Sequence, residues 1–92
     1  MFRTSLNHLA SVDATKLRVL PWSHQTKRYY INEWITAGIE EIATAKAYVD
    51  RINAVGFASF PLGAQRLCLW YEKWLTSAED GLQRLHEFEK EL

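Results

Sequence analysis

The sequence predicts an all-α fold built on a long antiparallel helical hairpin. Two stretches place apolar or small residues alternately four and three positions apart, which keeps them on one face of a helix that packs along another helix. A short segment containing Gly56 and Pro61 separates the two stretches, so the predicted helices span about residues 23–55 and 60–92. The first stripe comprises Ile31, Ile35, Gly38, Ile42, Ala45, Val49 and Ile52, and the second comprises Leu67, Tyr71, Trp74, Ala78, Gly81, Leu85, Phe88 and Leu92.

A basic N-terminal segment, residues 1–22, precedes the hairpin of residues 23–92 within a single domain of residues 1–92. The spacing of Phe2, Leu6 and Leu9 indicates a helix that is either continuous or broken near Ser11. Residues 16–19 also alternate polar and apolar, as a strand does, so residues 12–20 stay open between helix and strand. A lone strand would have to pair across a dimer to satisfy its backbone polar groups, which favours helix.

Polar and conformationally special residues mark the predicted helix ends. Ser23 is suited to cap the start of the second helix, and Gly56 is suited to end it. Ser59 is the expected N-cap of the third helix, which puts Pro61 in its first turn. The third helix either runs unbroken or breaks near Ser77, since Gly81 nearby costs about 1 kcal/mol relative to Ala.

Small residues occupy the middle of both stripes. Folding the hairpin near Ala58 places Ala45 opposite Tyr71, and Gly38 opposite Ala78. Two small residues facing each other leave a gap, which close packing resolves by helix approach or by an inserted side chain. We expect either a close approach or a filling residue from the first helix, such as Leu17. A ligand or a partner side chain is the alternative.

More apolar surface flanks the stripes than a two-helix hairpin can cover. Each buried indole or leucine contributes about 1.5–3 kcal/mol, and exposing several invites association. The first helix can cover one side and complete a three-helix bundle. We expect the remainder to be buried in a homodimer or against another protein. The flanking residues are Trp34, Ile39, Tyr48, Trp70, Leu75 and Leu82.

The zero net charge conceals an uneven distribution. Residues 1–30 hold five bases and one acid, or +4, whereas residues 31–92 hold six bases and ten acids, or −4. Bases alternate with aromatic residues around residues 27–30, a composition that can contact a nucleic-acid backbone and stack on bases. The competing interpretation treats Lys27 and Arg28 as ordinary exposed residues of a first helical turn. Candidate nucleic-acid contacts are Lys16, Arg18, Lys27 and Arg28.

The sequence contains no motif that predicts a catalytic, metal or cofactor site. His8, His24 and His86 do not stand at metal-ligand spacing from other ligands, and we expect no cofactor. Cys68 is the only cysteine, so it has no disulfide partner in the chain, which fits the reducing cytoplasm. We interpret Cys68 as a buried structural thiol rather than a reactive one. No apolar run approaches the ~20 residues that cross a membrane.

The predicted function is that of a small non-enzymatic protein–protein interaction module. Such an adaptor, inhibitor or regulator would act through its aromatic helical surface, because large aromatic residues dominate interface energetics. The expected anchors are Trp22, Trp34, Tyr48 and Trp70. One alternative is a nucleic-acid-associated regulator using the basic first third, and a remote one is a small helical-bundle enzyme.

Overall fold

The computed structural model describes residues 2–92, and Met1, the first residue of the predicted basic segment, lies outside the described residues. No strand occurs within residues 2–92, so the helical prediction for residues 12–20 is confirmed. The predicted all-α helical hairpin is also confirmed. The helices are α1 (Leu6–Ala10), α2 (Ala14–Arg18), α3 (His24–Val55) and α4 (Leu62–Glu89), with a short 3-10 turn at Phe57–Ser59 between α3 and α4.

The N-terminal helix breaks at Ser11, one of the two forms that the sequence left open. The backbone N–H of Ser11 donates to the carbonyl of His8, which closes α1. Asp13 then begins α2, because its carboxylate accepts hydrogen bonds from the backbone N–H groups of Thr15 at 3.0 Å and Lys16 at 3.4 Å. This cap was not identified from the sequence.

The two predicted ends of α3 are confirmed. The Ser23 hydroxyl accepts a hydrogen bond from the backbone N–H of Thr26 at 3.1 Å. At the other end Gly56 has φ +126°, a backbone conformation that side chains disfavour, and its N–H donates to the carbonyl of Ile52. Between these caps α3 is a single helix of 32 residues, about 48 Å long at 1.5 Å per residue.

The third helix begins two residues after its predicted start. Ser59 does not cap α4, because it ends the 3-10 turn, where its hydroxyl donates to the Gly56 carbonyl at 2.6 Å. Pro61 is itself the N-cap residue, outside the first turn, and contributes no side-chain cap. From Leu62 the helix continues through Ser77 without a break and ends at Glu89, before the predicted limit at residue 92.

The short helix α1 packs into the hairpin where the two stripes carry glycine. A Cβ added at Gly81 would lie 1.7 Å from the backbone carbonyl oxygen of Leu9, and one at Gly38 would lie 2.9 Å from Leu9 Cδ2. The absent side chains therefore make room for α1. The expected filling by a first-helix residue is confirmed, although the residue is Leu9 and not Leu17.

The hairpin register differs from the expected one by about a turn. The rings of Tyr48 and Tyr71 meet edge to face with centroids 5.5 Å apart. A Cβ at Gly38 would lie 3.3 Å from Leu82 Cδ1, so Leu82 rather than Ala78 approaches it from α4. The inserted Leu9 provides a physical reason, because α3 and α4 need not close on each other at their small residues.

The Arg84 side chain of α4 hydrogen-bonds the backbone at the end of α1 and just beyond it. Its Nε donates to the carbonyl of Val12 and its Nη2 to the carbonyl of Ala10, both at 3.0 Å. These carbonyls follow the end of a helix and lack partners within it, so the guanidinium satisfies them. The resulting core lies mainly in the half of the hairpin that α1 covers, and it comprises Leu6, Leu9, Val12, Ile31, Ile35, Ile42, Ala45, Ala78, Leu85 and Phe88.

Candidate functional site

The short helix α1 packs on the hairpin at Gly38 and Gly81 and covers only part of its length. We call the part that α1 covers the proximal half, and residues 45–75 the distal half. The segment before α1 reaches as far as Thr44, where Phe2 and Arg3 line a shallow cavity. The distal half comprises parts of the two hairpin helices and the turn between them.

Aromatic residues cluster in the distal half. The Trp70 ring lies 5.9 Å from Tyr71 and 6.4 Å from Trp74, between centroids, and Tyr71 in turn contacts Tyr48. Trp70 remains 37% exposed, and Leu67, one turn before Tyr71, remains 39% exposed. These edge-to-face and tilted contacts stabilise aromatic pairs without hiding them. We call this surface the aromatic patch; it comprises Tyr48, Leu67, Trp70, Tyr71 and Trp74.

The inner edge of the aromatic patch is partly desolvated. Burial raises the pKa of the Tyr71 hydroxyl above its ordinary value of 10.0, and the nearby Glu41 carboxylate and Tyr48 raise it further. Tyr71 therefore stays a neutral phenol at physiological pH. Its hydroxyl is available as a hydrogen-bond donor at the edge of an apolar surface.

Three cations surround the aromatic patch. Lys73 places its Nζ 5.4 Å from the centroid of the Trp74 ring, within the range of a cation–π interaction. Arg66 lies one helical turn before Trp70, and Arg51 lies one turn after Tyr48, the spacing at which helix residues are neighbours. Within residues 2–92, none of the three cations has a carboxylate within 4.0 Å. We call Arg51, Arg66 and Lys73 the basic rim.

A separate apolar cavity of about 430 Å³ lies in the proximal half, between the N-terminal segment and α3. Trp34 forms part of its wall, and the indole N–H of Trp34 donates to the Thr4 hydroxyl at 3.0 Å. Trp22 also lines the cavity and packs against Tyr30 with ring centroids 5.4 Å apart. This cavity is thus partly walled by the chain's own N-terminal residues.

The four predicted anchors fall into two pairs. Tyr48 and Trp70 both belong to the aromatic patch, joined through Tyr71, whereas Trp22 and Trp34 line the proximal cavity. About fourteen residues of α3 separate Trp34 from Tyr48, roughly 21 Å along the helix. The two pairs therefore lie in different parts of the molecule and do not form one continuous surface.

The basic rim was missed by the sequence reasoning, together with the exposure of Leu67. Leu67 was placed in the buried seam of the second stripe, because the heptad pattern does not reveal where a covering helix stops. The rim had a detectable signal. Residues 45–75 hold four bases (Lys46, Arg51, Arg66 and Lys73) and two acids (Asp50 and Glu72), or +2, whereas residues 31–92 as a whole total −4.

Of the candidate nucleic-acid contacts, Arg18 forms a bidentate ion pair with Glu91. Its Nε and Nη2 donate to the two carboxylate oxygens at 3.0 and 2.9 Å. This hydrogen bonding lowers the pKa of Glu91 below its ordinary value of 4.5 and raises the already high pKa of Arg18. The basic first third and the acidic hairpin thus pair within the molecule at this point.

Lys27 and Arg28 are also engaged internally. Lys27 is only 7% exposed, against the expectation of an exposed first-turn residue, because its Nζ donates to the Arg18 carbonyl at 2.8 Å at the end of α2. Arg28 donates to the carbonyl of Leu92. Lys16 is exposed and forms no ion pair within residues 2–92.

Cys68 is a buried thiol, as predicted. Its Sγ donates to a carboxylate oxygen of Glu72 at 3.4 Å, and burial, followed by that contact, raises the pKa of the thiol. Both effects keep Cys68 protonated and unreactive. No group of three His, Cys, Asp or Glu side chains that could hold a metal ion is found among residues 2–92. Over the same residues, no helix is both long and apolar enough to cross a membrane.

Comparison with known proteins gives no match to this chain, whether with family models, curated proteins or solved structures.

Proposed function

We propose that this protein is a non-enzymatic protein–protein interaction module, an adaptor, inhibitor or regulator, whose aromatic patch receives a segment of a partner protein. The observation that carries this proposal is the aromatic patch itself. Trp70 and Leu67, which lie on α4 beyond its contact with α1 at Gly81, remain more than one-third exposed. The patch thus supplies apolar area to which a partner segment can bind.

The composition of the patch supports this role. Tyr, Trp and Arg are enriched among the residues that dominate binding energy at protein interfaces. The patch provides two tyrosines and two tryptophans, and the basic rim adds two arginines. Rings already packed against each other lose little side-chain freedom on binding, which lowers the entropic cost of association.

Another protein is a better partner for the patch than a second copy of this chain. In a two-fold dimer each surface meets its own copy, so the cations of the basic rim would approach one another. Like charges brought together at an interface cost several kcal/mol, on the order of what a good contact gains. The homodimer expected from the uncovered apolar surface stays a prediction, and light scattering distinguishes a 10.7 kDa monomer from a species of twice that mass.

The nucleic-acid alternative has less support from the basic first third. Arg18 donates its hydrogen bonds to Glu91, and Lys27 donates to the Arg18 carbonyl. Arg28 donates to the carbonyl of Leu92. Lys16 alone among the four is exposed without an ion pair within residues 2–92. A single cation supplies little phosphate affinity, which normally grows with the number of contacts.

The cytoplasmic location expected from the lone cysteine also stays a prediction.

Partner capture by alanine variants tests the proposed function. Tagged wild-type protein, a Trp70→Ala/Trp74→Ala variant and an Ile39→Ala control are compared for the proteins they retain, after circular dichroism confirms equal helicity. Ile39 is a fair control because it is 51% exposed and lies outside the patch. We expect a partner retained by wild type and Ile39→Ala and lost by the double variant. Equal retention by all three proteins contradicts the proposal.

A further inference from the structure

We infer that the proximal cavity binds a small amphipathic carboxylate, whose apolar body fills the cavity and whose carboxylate pairs with the Lys27 ammonium. The cavity and the aromatic patch share no residue, so this inference does not rest on the proposed function. It depends on three observations: the lining of the cavity, a smaller cavity that extends it toward Lys27, and the burial of Lys27 without a counter-charge.

The lining of the proximal cavity suits an apolar ligand. Its volume of about 430 Å³ lies within the range of roughly 300–1,000 Å³ that is typical of small-molecule sites. Most of its wall is aliphatic or aromatic. Ile31 is a buried part of this wall, whereas the rings of Trp22 and Tyr30 remain nearly half exposed. A ligand that covers these rings removes apolar surface from water, which stabilises the complex.

A second, much smaller cavity of about 20 Å³ extends the proximal cavity toward Lys27. The wall residues common to both cavities are Leu17, Leu20, Trp22, Tyr30 and Ile31. Lys27 and Phe88 line only the small cavity. A space of this size holds about one water-sized group, such as a carboxylate oxygen. A ligand in the proximal cavity can therefore direct its carboxylate toward Lys27.

Lys27 is a buried cation that lacks a counter-charge among residues 2–92. Only 7% of the residue is exposed, and over that range of the chain no carboxylate lies within 4.0 Å of its Nζ. The Nζ donates to the Arg18 carbonyl at 2.8 Å, which uses one of the three donors of the ammonium. Glu91, the acid that reaches this end of α2, binds the Arg18 guanidinium instead. Buried charges in proteins are normally paired, so a bound carboxylate would supply the missing partner.

The other charged groups around the two cavities do not supply that partner. Arg3 and His8, which line the proximal cavity, are bases, and no acid from the described part of the chain lines either cavity. Glu40 and Glu41 line the adjacent shallow cavity together with Arg3, so the charge of Arg3 is not counted here. A carbonyl at a helix C-terminus carries only partial negative charge, so capping α2 leaves Lys27 with net positive charge. The charges thus favour an anion at Lys27.

Titration of the full chain with matched acids and amides tests this inference. The probes are decanoate and 1-naphthoate, each compared with its neutral amide, at concentrations where none of them aggregates. Calorimetry gives the affinity and the stoichiometry. We expect the better acid to bind at one site, at least about tenfold tighter than its amide, because a buried ammonium binds a charged acceptor more strongly than a neutral one. The tighter of the two acids shows whether the natural ligand has an alkyl or an aryl body.

Removing the charge of Lys27 assigns the preference to its ammonium. Lys27→Met keeps much of the side-chain volume, and Lys16→Met makes the same change at an exposed base of α2 that lines neither cavity. The ratio of acid to amide affinity should fall to near one in Lys27→Met and stay at the wild-type value in Lys16→Met. If Lys27 only caps α2, Lys27→Met loses stability and keeps the ratio, which overturns the inference. If Lys27→Met does not fold, the ratio measured for wild type decides.

Tryptophan fluorescence locates the bound acid. The Trp70→Ala/Trp74→Ala variant retains Trp22 and Trp34 as its only tryptophans, and both line the proximal cavity. We expect the acid to bind this variant with the affinity it has for wild type and to change the tryptophan emission. Loss of binding in this variant would place the acid on the aromatic patch and overturn the proposed site.

Two further results would overturn the inference. Equal binding of acid and amide to wild type contradicts pairing with an ammonium, and the absence of binding by both acids contradicts the site itself. Neither result alters the partner capture by the aromatic patch, which tests the proposed function with a different ligand on a different surface. Failure of the inference is therefore distinguishable from failure of the proposed function.

Discussion

The backbone of Leu9 lies so close to Gly81 that a Cβ at residue 81 would sit 1.7 Å from the Leu9 carbonyl oxygen. That contact is with backbone, which cannot rotate away as the end of a side chain can. Leu9 itself is fully buried, and its side chain also approaches Gly38. Gly81 of α4 therefore fixes the position of α1, and so the part of the hairpin surface that α1 covers.

Gly81→Ala should destabilise the protein although Ala is the better helix former. Intrinsic propensity alone would stabilise α4 by about 1 kcal/mol. The clash with Leu9 forces α1 outward and reverses the sign, with a net loss of about 1–3 kcal/mol, as for other overpacked sites. Chemical denaturation measures the change. A Gly81→Ala protein as stable as wild type would contradict the close contact between α1 and α4 at Gly81.

Gly63→Ala is the matched control for that substitution. Gly63 also lies in α4, has no positive φ, and its Cβ would meet nothing within 4 Å. Only helix propensity changes there, so we expect stabilisation of up to about 1 kcal/mol. The two Gly→Ala variants should thus shift the denaturation midpoint in opposite directions. A shift in the same direction would show that propensity, and not the contact with Leu9, decides both.

Tryptophan substitutions should separate the structural anchors from the binding anchors. Trp34 is half-buried and donates to Thr4, so Trp34→Ala should cost about 2 kcal/mol in the free energy of unfolding through lost burial and a lost hydrogen bond. Trp70 is more exposed and makes only ring contacts, so Trp70→Ala should cost less than about 1 kcal/mol. Urea denaturation measures both. Equal losses would contradict the distinction between Trp34 and Trp70.

The Arg18–Glu91 pair should give stability a small acid-sensitive component. The pKa of Glu91 is lowered by folding, so the pair's contribution is fully present above the ordinary Glu value of 4.5 and is lost as pH falls through the lowered folded pKa. Wild type should therefore melt above Glu91→Gln at pH 7, and the two should converge as the pH falls below 4.5 and through the lowered folded pKa. High salt should reduce the difference at pH 7 because the pair is exposed.

Glu89→Gln provides the control for the acid-sensitive pair. Glu89 lies two residues before Glu91 and forms no ion pair within residues 2–92. The thermal midpoint of Glu89→Gln should therefore follow that of wild type from pH 3 to pH 7. A gap between Glu91→Gln and wild type that persists unchanged at pH 3 would contradict an ionic origin.

Cys68 should be nearly inert in the folded protein. Alkylation requires the thiolate, and both burial and the contact with Glu72 raise the pKa of the thiol. The rate of reaction with iodoacetamide at pH 8 should rise at least about tenfold in denaturing guanidinium, since reaction then no longer waits for local opening. Mass spectrometry follows the modification. Equal rates in native and denaturing conditions would contradict the burial of Cys68.

The helical architecture was predictable because heptad spacing and caps are local. Ser23 and Gly56 carry their signals within a turn of the helix ends, and the structure has both ends there. Ser59 carried a similar signal, but its hydroxyl bonds Gly56 instead, since the 3-10 turn brings that carbonyl nearer. Ser23 therefore caps a helix and Ser59 does not, because the backbone around them differs in a way that the residue spacing does not encode.

The candidate site was predictable only in part. Tyr48 and Trp70 were expected at a binding surface because they flank the stripes, and the structure brings them together through Tyr71. The extent of the aromatic patch depends on where α1 stops, and that follows from the contact of Leu9 with Gly81, 72 positions apart in sequence. A spacing pattern along one helix does not register such a contact.

Photo-cross-linking at position 70 tests the central claim most directly, that the aromatic patch binds a segment of a partner protein. A photoreactive benzoylphenylalanine replaces Trp70, and a second protein carries it at Ile39, an exposed control position outside the patch. Both proteins are irradiated in the source cell, and the adducts are sequenced. We predict a protein adduct from position 70, and no such adduct from position 39. The same adducts from both positions, or none from position 70, would contradict the account.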